Sequence, residues 1–315
     1  MRYHRQELVL GQEAQKKLEA SCVVIIGVGA LGTVASELLC RAGVNLVLID
    51  RDVVEDTNLQ RQTLFYEEDV GKSKAVIAKE RLSKINSSIN IETHAIHVNK
   101  DNINVLEKAD LIIDCTDNLS TRFLLNDYCR KNNKIWIYGA AIRTSGYVMP
   151  IFPDGPCLQC FIEEASLDTC DTVGVLNAIT TSIGALQVSV GMKVLLRKYE
   201  ARNDLYYYDI WNPTLKKLKV TKKENCPTCN GNYEYLTKDD SMIPIKFCGK
   251  GKYQIQGKKK EFGEMKAKWS SLGEVIDDGE TLRFKNMLLF KDGRVLITAD
   301  TEEDARSMYS KYVGD

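Results

Sequence analysis

The chain has 315 residues, enough for one large or two moderate domains with a proper core. Its 44% apolar and 27% charged content is ordinary for a globular chain, and 43 Lys and Arg offset 43 Asp and Glu, so no net field favours nucleic acid. No apolar run approaches the roughly 20 residues that span a bilayer, and MRYHRQELVL lacks an apolar signal core, so the expectation is a cytoplasmic chain with no membrane or nucleic-acid partner.

In chain order, residues 2–10 read as an exposed, charged N-terminal turn containing Arg5, and 11–20 as a short amphipathic helix. Residues 22–28 are an unbroken apolar run rich in β-branched side chains, as expected for a strand buried on both faces of a parallel sheet. Gly27, Gly29 and Gly32 then form G-x-G-x-x-G, with Ala30 inside it. Ala35, Leu38, Leu39 and Ala42 follow at helical spacing, and residues 44–49 are a second strand with Asp50 at its end. In this order the glycines admit a phosphate to the backbone, the helix start supplies N–H groups, and the acid can accept from ribose hydroxyls. The motif alone does not choose between NAD, FAD and ATP.

Residues 51–75 are too polar for a strand and are expected to lie over the C-terminal edge of the sheet, where doubly wound folds bind ligands. This loop presents Asp52, Asn58, Arg61, Gln62, Lys72 and Lys74, a density of polar and cationic groups that suits a triphosphate better than a nicotinamide. Gly71-Lys72-Ser73 is a decoy, because a phosphate loop needs Gly where Tyr66 stands. Helices are expected at 74–85 and 122–131, and strands at 89–96, 109–115 and 134–141. Asp114 and Asp117 fall at the same sheet edge as Asp50, where a carboxylate can hold Mg²⁺ against phosphates. His94 and His97 have no ligand-like company. The alternation from 22 to 141 defines a doubly wound α/β domain.

After Gly146 the pattern changes. An antiparallel strand is expected at 147–152, a polar loop with Cys170 at 163–177, an apolar helix at 181–198, and strands at 205–211 and 215–220. Of ten cysteines, four form two C-x-x-C pairs, Cys157 with Cys160 and Cys226 with Cys229. In a reducing compartment that spacing favours a tetrahedral S₄ zinc site without an open position, hence a structural one. Cys22, Cys40, Cys115 and Cys129 sit in apolar contexts and read as buried hydrophobes. Residues 230–240 read as a linker. Beyond it, 242–315 is a small α+β appendage with a hairpin at 287–298 and a final helix capped by Thr301.

RYHRQ, GVGALG, Asp50 with Asp52, TNLQRQ, GKSKA, DCTDN and the two C-x-x-C pairs occur in this order. Together they closely resemble the ThiF/MoeB/HesA family, the prokaryotic relatives of ubiquitin-activating enzymes, over roughly residues 1–235. The resemblance implies a Rossmann-like, mostly parallel sheet with added antiparallel strands. It also implies ATP-dependent adenylation of the C-terminal glycine of a ubiquitin-like sulfur-carrier protein ending in Gly-Gly. By the same resemblance Asp50 binds the ribose; Gly27, Gly29, Ala30 and Gly32 line the nucleotide; Asn58, Arg61 and Lys74 hold phosphates; and Asp117 stands close to Mg²⁺. Asp52 and Gln62 belong to the matched motifs. Arg5 resembles an arginine finger acting in a partner subunit, which implies a homodimer. Cys170 aligns with a loop cysteine that joins covalently to the carrier in some members. The appendage shows no sulfur-transfer loop, so a separate sulfur donor is implied. Two alternatives stand beside this reading: an NAD- or FAD-dependent oxidoreductase, and a non-catalytic scaffold subunit of an activating complex.

Overall fold

The computed structural model describes residues 2–162, 174–237, 246–247 and 251–314. Two compact units divide the chain, Met1–Lys238 and Asp239–Asp315. The first begins with helices α1 (His4–Leu10) and α2 (Gln12–Ala20). The exposed turn expected at the N-terminus is therefore a helix instead. None of its residues is buried, so no periodic apolar face betrays it in the sequence. Polar contacts anchor it. Gln6 Nε2 donates to Gln15 Oε1 at 2.6 Å and to the Ala42 carbonyl at 3.3 Å, and the buried Gln15 donates to that same carbonyl at 3.0 Å.

The main sheet is built from β1 (Cys22–Ile26), β2 (Asn45–Ile49), β3 (Ile91–His94), β4 (Leu111–Asp114), β5 (Trp136–Ile142), β6 (Ser145–Ile151), β7 (Asp204–Asp209) and β8 (Thr214–Lys219). Its order is β3-β2-β1-β4-β5-β6-β7-β8. Strands β3, β2, β1, β4 and β5 pair in parallel, and β5 through β8 pair antiparallel. The expected Rossmann-like sheet with added antiparallel strands is borne out. Helices α3 (Ala30–Ala42), α4 (Lys74–Ile85), α5 (Leu119–Lys131) and α6 (Asn177–Leu195) complete this unit. Because the chain leaves β1 in one direction and β4 in the other, a crevice opens between their C-terminal ends.

Several boundaries differ from the periodicity. Strand β3 is limited to four residues. Helix α5 starts at Leu119, because Asn118 accepts the Thr121 N–H at 2.8 Å and caps it. Helix α6 starts four residues before the expected 181. Among the described residues it is the one helix long and apolar enough to cross a bilayer by length and composition, contrary to the reading that no run approaches that length. Half of its apolar window is buried, and Ile179, Ile183, Val188, Val190 and Val194 join the cluster that packs α3 against the sheet. The expected linker also begins later than 230. Residues Glu234–Leu236 form a 3-10 turn, and the buried Tyr235 stacks on Phe123 with ring centroids 5.0 Å apart.

The second unit is an antiparallel sheet of order β11-β12-β13-β14-β10-β9. Its strands are β9 (Lys246–Phe247), β10 (Lys252–Gln256), β11 (Val275–Asp277), β12 (Thr281–Phe284), β13 (Met287–Phe290) and β14 (Arg294–Thr298), with helices α7 (Phe262–Ser270) and α8 (Glu302–Tyr312). The fully buried Trp269 stacks on Phe284 at 5.2 Å and donates Nε1–H to the Tyr312 carbonyl at 3.0 Å, joining both helices to the sheet. Strands β13 and β14 form the expected hairpin, and Thr301 caps α8 by accepting the Asp304 N–H at 3.1 Å.

Candidate nucleotide site and cysteine cluster

The glycine turn fills the crevice between β1 and β4. Gly27 has φ +87°, and a Cβ there would lie 2.6 Å from the Cys115 carbonyl oxygen at the end of β4. A Cβ on Gly32 would lie 1.9 Å from the Gly27 carbonyl oxygen, so helix α3 meets the turn at backbone contact. Gly29 differs. Its Cβ would meet only Gln62 Nε2, at 3.7 Å, so the outer side of the turn is open. No side chain caps α3 at Gly29, which leaves the N–H groups of its first turn, starting at Ala30, for a ligand.

Asp50 stands beneath this turn, with 7% of its surface exposed. Its Oδ2 accepts the Val28 N–H at 2.6 Å and its Oδ1 the Asp52 N–H at 2.7 Å, so the carboxylate fixes the turn and the loop after β2 together. Burial raises its pKa, and the nearby Lys74 ammonium opposes that rise. The loop returns to the site because Asp52 and Val54 pair with Lys74 and Lys72: Lys74 N–H donates to Asp52 O at 3.0 Å, and Val54 N–H to Lys72 O at 2.9 Å. Lys74 is thereby buried with its Nζ 4.0 Å from Asp52 Oδ2.

Asn58 is buried in a 3-10 turn, Asp56–Asn58, where its Oδ1 accepts the Glu55 N–H at 3.1 Å. That turn leads to Arg61, half-exposed, and to Gln62, 4% exposed above Gly29. Gln62 Oε1 is buried without a hydrogen-bond partner, which is costly unless a ligand supplies a donor. Gly27, Gly29, Gly32, Asp50, Asp52, Gln62 and Lys74 are thus linked around one crevice, and Asn58 and Arg61 stand on the turn that leads to Gln62, where Arg61 Nη1 donates to the Thr57 carbonyl at 2.9 Å. Arg5 lies apart, exposed on α1, which Gln6 ties to Ala42 at the other end of α3 from the glycine turn. Cys170 lies outside the described residues.

Of the two acids at the C-terminal end of β4, Asp117 is exposed in the turn beyond the strand, but Asp114, the last residue of β4, is fully buried and committed. Its Oδ2 accepts Arg122 Nε–H at 3.0 Å, and its Oδ1 accepts the Thr116 N–H at 2.9 Å and hydroxyl at 2.6 Å. Asp114 is therefore not open to a metal, correcting the reading that grouped it with Asp117. Sequence reasoning also missed Gln187 of α6, whose Nε2 donates to the Asp114 carbonyl at 2.7 Å. A Cβ on Gly139 would lie 2.2 Å from that nitrogen, so the glycine in KIWIYGAA was the available signal.

The four cysteines of the C-x-x-C pairs meet on the other face of the sheet, all four sulfurs within 4.8 Å of one another. Cys157 is 3.4 Å from Cys226, Cys160 is 3.6 Å from Cys229, and Cys157 is 3.9 Å from Cys160. A disulfide needs about 2.05 Å. The observed spacing instead suits the roughly 3.8 Å edges of a thiolate tetrahedron with ~2.3 Å metal bonds. The hydrogen bond between Cys157 and Cys160 pulls the Cys160 thiol pKa down and raises that of Cys157. Helix α5 supports both pairs. Asn126 Oδ1 accepts the Leu158 N–H at 2.8 Å, and its Nδ2 donates to Thr228 Oγ1 at 3.2 Å.

A doubly wound sheet with an open glycine turn at its switch point, an acid after β2 and a buried lysine over it defines a nucleotide-binding α/β protein. Within that class, the chain belongs to the ThiF family, whose match covers residues 3–228. It is 34% identical to the sulfur carrier protein ThiS adenylyltransferase of Bacillus subtilis (strain 168), over 99% of both chains. It is 36% identical to the SAMP-activating enzyme E1 of Haloferax volcanii, over 72% of this chain and 88% of that one. Among solved structures, that of E. coli MccB with ATP matches with a TM-score of 0.65 and 25% identity, covering 73% of each chain. The family expectation is borne out, and the oxidoreductase alternative has no counterpart in these relatives.

Proposed function

We propose that this chain is an ATP-dependent adenylyltransferase that activates the C-terminal glycine of a ubiquitin-like sulfur-carrier protein. A carboxylate oxygen of that glycine attacks the α-phosphorus of ATP, the bond to the β-phosphate bridge breaks, and pyrophosphate leaves. The observation that carries this reading is the open turn at Gly29 with Lys74 buried beside it and Gln62 Oε1 unpaired above it. Attack of one anion on another requires cations that offset repulsion and stabilise the charge of the transition state. Lys74, Arg61 and Asn58 serve the phosphates. Asp50 accepts from the ribose while its backbone bonds keep the turn in place. Asp117 is the residue that would hold Mg²⁺, which when bound offsets phosphate charge. Zn²⁺ suits the four thiolates, where a closed S₄ set makes it structural.

Arg5 we read as acting in the partner subunit of a homodimer. Helix α3 has 13 residues and is about 20 Å long. The glycine turn lies at one end, while Gln6 and Gln15 tie α1 to Ala42 at the other. This supports a role for Arg5 in a site other than its own. Cys170 is read as the acceptor in a later covalent transfer, with sulfur from a separate donor, in a cytoplasmic setting without nucleic acid or membrane.

The test is ATP–pyrophosphate exchange with purified full-length protein and candidate carriers ending in Gly-Gly, with Asp117→Ala as control. Carrier-dependent exchange that the control abolishes supports the reading, and the carrier that works names the pathway. Absence of exchange with every carrier, despite bound ATP, would favour the scaffold alternative.

A further inference from the structure

Arg122 lies outside the set of nucleotide residues, yet it is only 8% exposed and its Nε and Nη2 are both hydrogen-bonded. Its Nε donates to Asp114 Oδ2 at 3.0 Å, its Nη2 to the Gly139 carbonyl at 2.8 Å and to the Thr116 carbonyl, and its guanidinium lies 5.1 Å from the Tyr138 ring centroid. Taking both charges of an ion pair out of water is costly, and well-packed apolar residues often serve stability as well or better. The pair is therefore better explained by what it holds.

It holds Thr116. The amide and hydroxyl of Thr116 go to Asp114 and its carbonyl to Arg122, so all its polar atoms are committed to the pair. On the other side of Asp117, Asn118 is fixed as the cap of α5. Asp117 itself is exposed, and its charge acts on Arg122. An acid between two immobilised residues has little backbone freedom, so its carboxylate meets a ligand from a fixed base.

We propose that Arg122, through Asp114 and Thr116, is the positioning residue for the Asp117 turn, setting where that carboxylate stands during adenylation. This rests on the adenylation reading above.

The experiment compares wild type, Arg122→Lys, and the double variant Arg122→Met with Asp114→Leu, which removes both charges and leaves no ion unpaired. Two readouts are taken: pyrophosphate exchange with its kcat and its KM for ATP, and ligand-free hydrogen–deuterium exchange resolved to the Thr116 amide. Expected are a melting temperature kept in the double variant and Thr116 exchange about tenfold faster in both variants. The kcat should fall about tenfold or more, while KM for ATP moves less than about threefold, and Arg122→Lys should retain more activity than the double variant. A folded double variant with wild-type kcat, or unchanged Thr116 protection in both, overturns the proposal. If wild type itself shows no exchange, the adenylation reading fails, and the amide measurement still decides whether Arg122 holds the turn.

Discussion

The hydroxyl of Thr228 lies 2.5 Å from Asp127 Oδ1, joining helix α5 to the second cysteine pair. The other oxygen of Asp127 accepts the Tyr235 N–H at 3.0 Å, so one carboxylate holds the segments on both sides of Cys229. Asp127→Ala removes both bonds. Hydrogen bonds to a charged group contribute about 1.5–3 kcal/mol each, so stability should fall by roughly 2–4 kcal/mol once relaxation is allowed for. Urea unfolding gives the energy, and elemental analysis of the purified variant gives the metal. A variant as stable and as metal-rich as wild type would deny Asp127 this role.

Gly29 and Gly32 should differ in stability, though not in the direction of the ATP effect, on gaining the same methyl. Gly32→Ala drives a Cβ into the Gly27 carbonyl, a backbone atom that cannot move away cheaply, so both melting temperature and ATP affinity should drop. Gly29→Ala meets only a side-chain nitrogen at 3.7 Å and should melt within a few degrees of wild type. ATP affinity should nevertheless fall about tenfold or more, since the methyl fills the open side of the turn. Calorimetric titration with ATP beside thermal melts separates the two effects.

Burial holds the Asp50 carboxyl above the ordinary carboxylate range, with Lys74 opposing the rise. The folded chain therefore binds this proton more tightly than the unfolded chain. That stabilisation is full below the ordinary value of about 3.9 and is lost as pH rises through the raised one. The stability of wild type relative to Asp50→Asn should accordingly grow as pH falls from neutral into the acid range. Urea unfolding of both proteins at several pH values checks the sign. A difference independent of pH would mean an ordinary Asp50.

Arg5→Ala and Lys74→Ala should each be nearly inactive alone. If Arg5 acts across a dimer, mixing them with subunit exchange regenerates one intact site in each mixed dimer, and about a quarter of wild-type activity should return. Recovery that stays at zero after exchange is demonstrated would put Arg5 and Lys74 in the same protomer's site.

Much of this was legible in the sequence because it depends on local chemistry. Gly27, Gly29 and Gly32 stand between two apolar runs, and only a strand–turn–helix accommodates them. Two C-x-x-C pairs likewise announce their meeting. What the sequence concealed depends on distant partners. The role of Arg122 leaves no sequence signal, because its partner Asp114 is on a strand and helical spacing does not connect them. Tyr235 sits in a polar stretch, and its burial comes from the core on the α5 side of the sheet, where it stacks on Phe123. Helix α1 buries no residue, so its polar anchoring leaves no periodic trace.

Helix α5 begins one residue after the cap that borders Asp117, and just over two turns later it offers Asn126 and Asp127 to the cysteine pairs. The two attachments are separated by about 12 Å of a single rod. With zinc in the cysteine cluster as proposed, slackening that end with a zinc-selective chelator in excess Mg²⁺ should therefore loosen the footing of an acid that never touches the zinc. Removing zinc in this way is expected to slow turnover without contacting a reacting atom, much as a loosened bench spoils the aim of an instrument clamped at its far end.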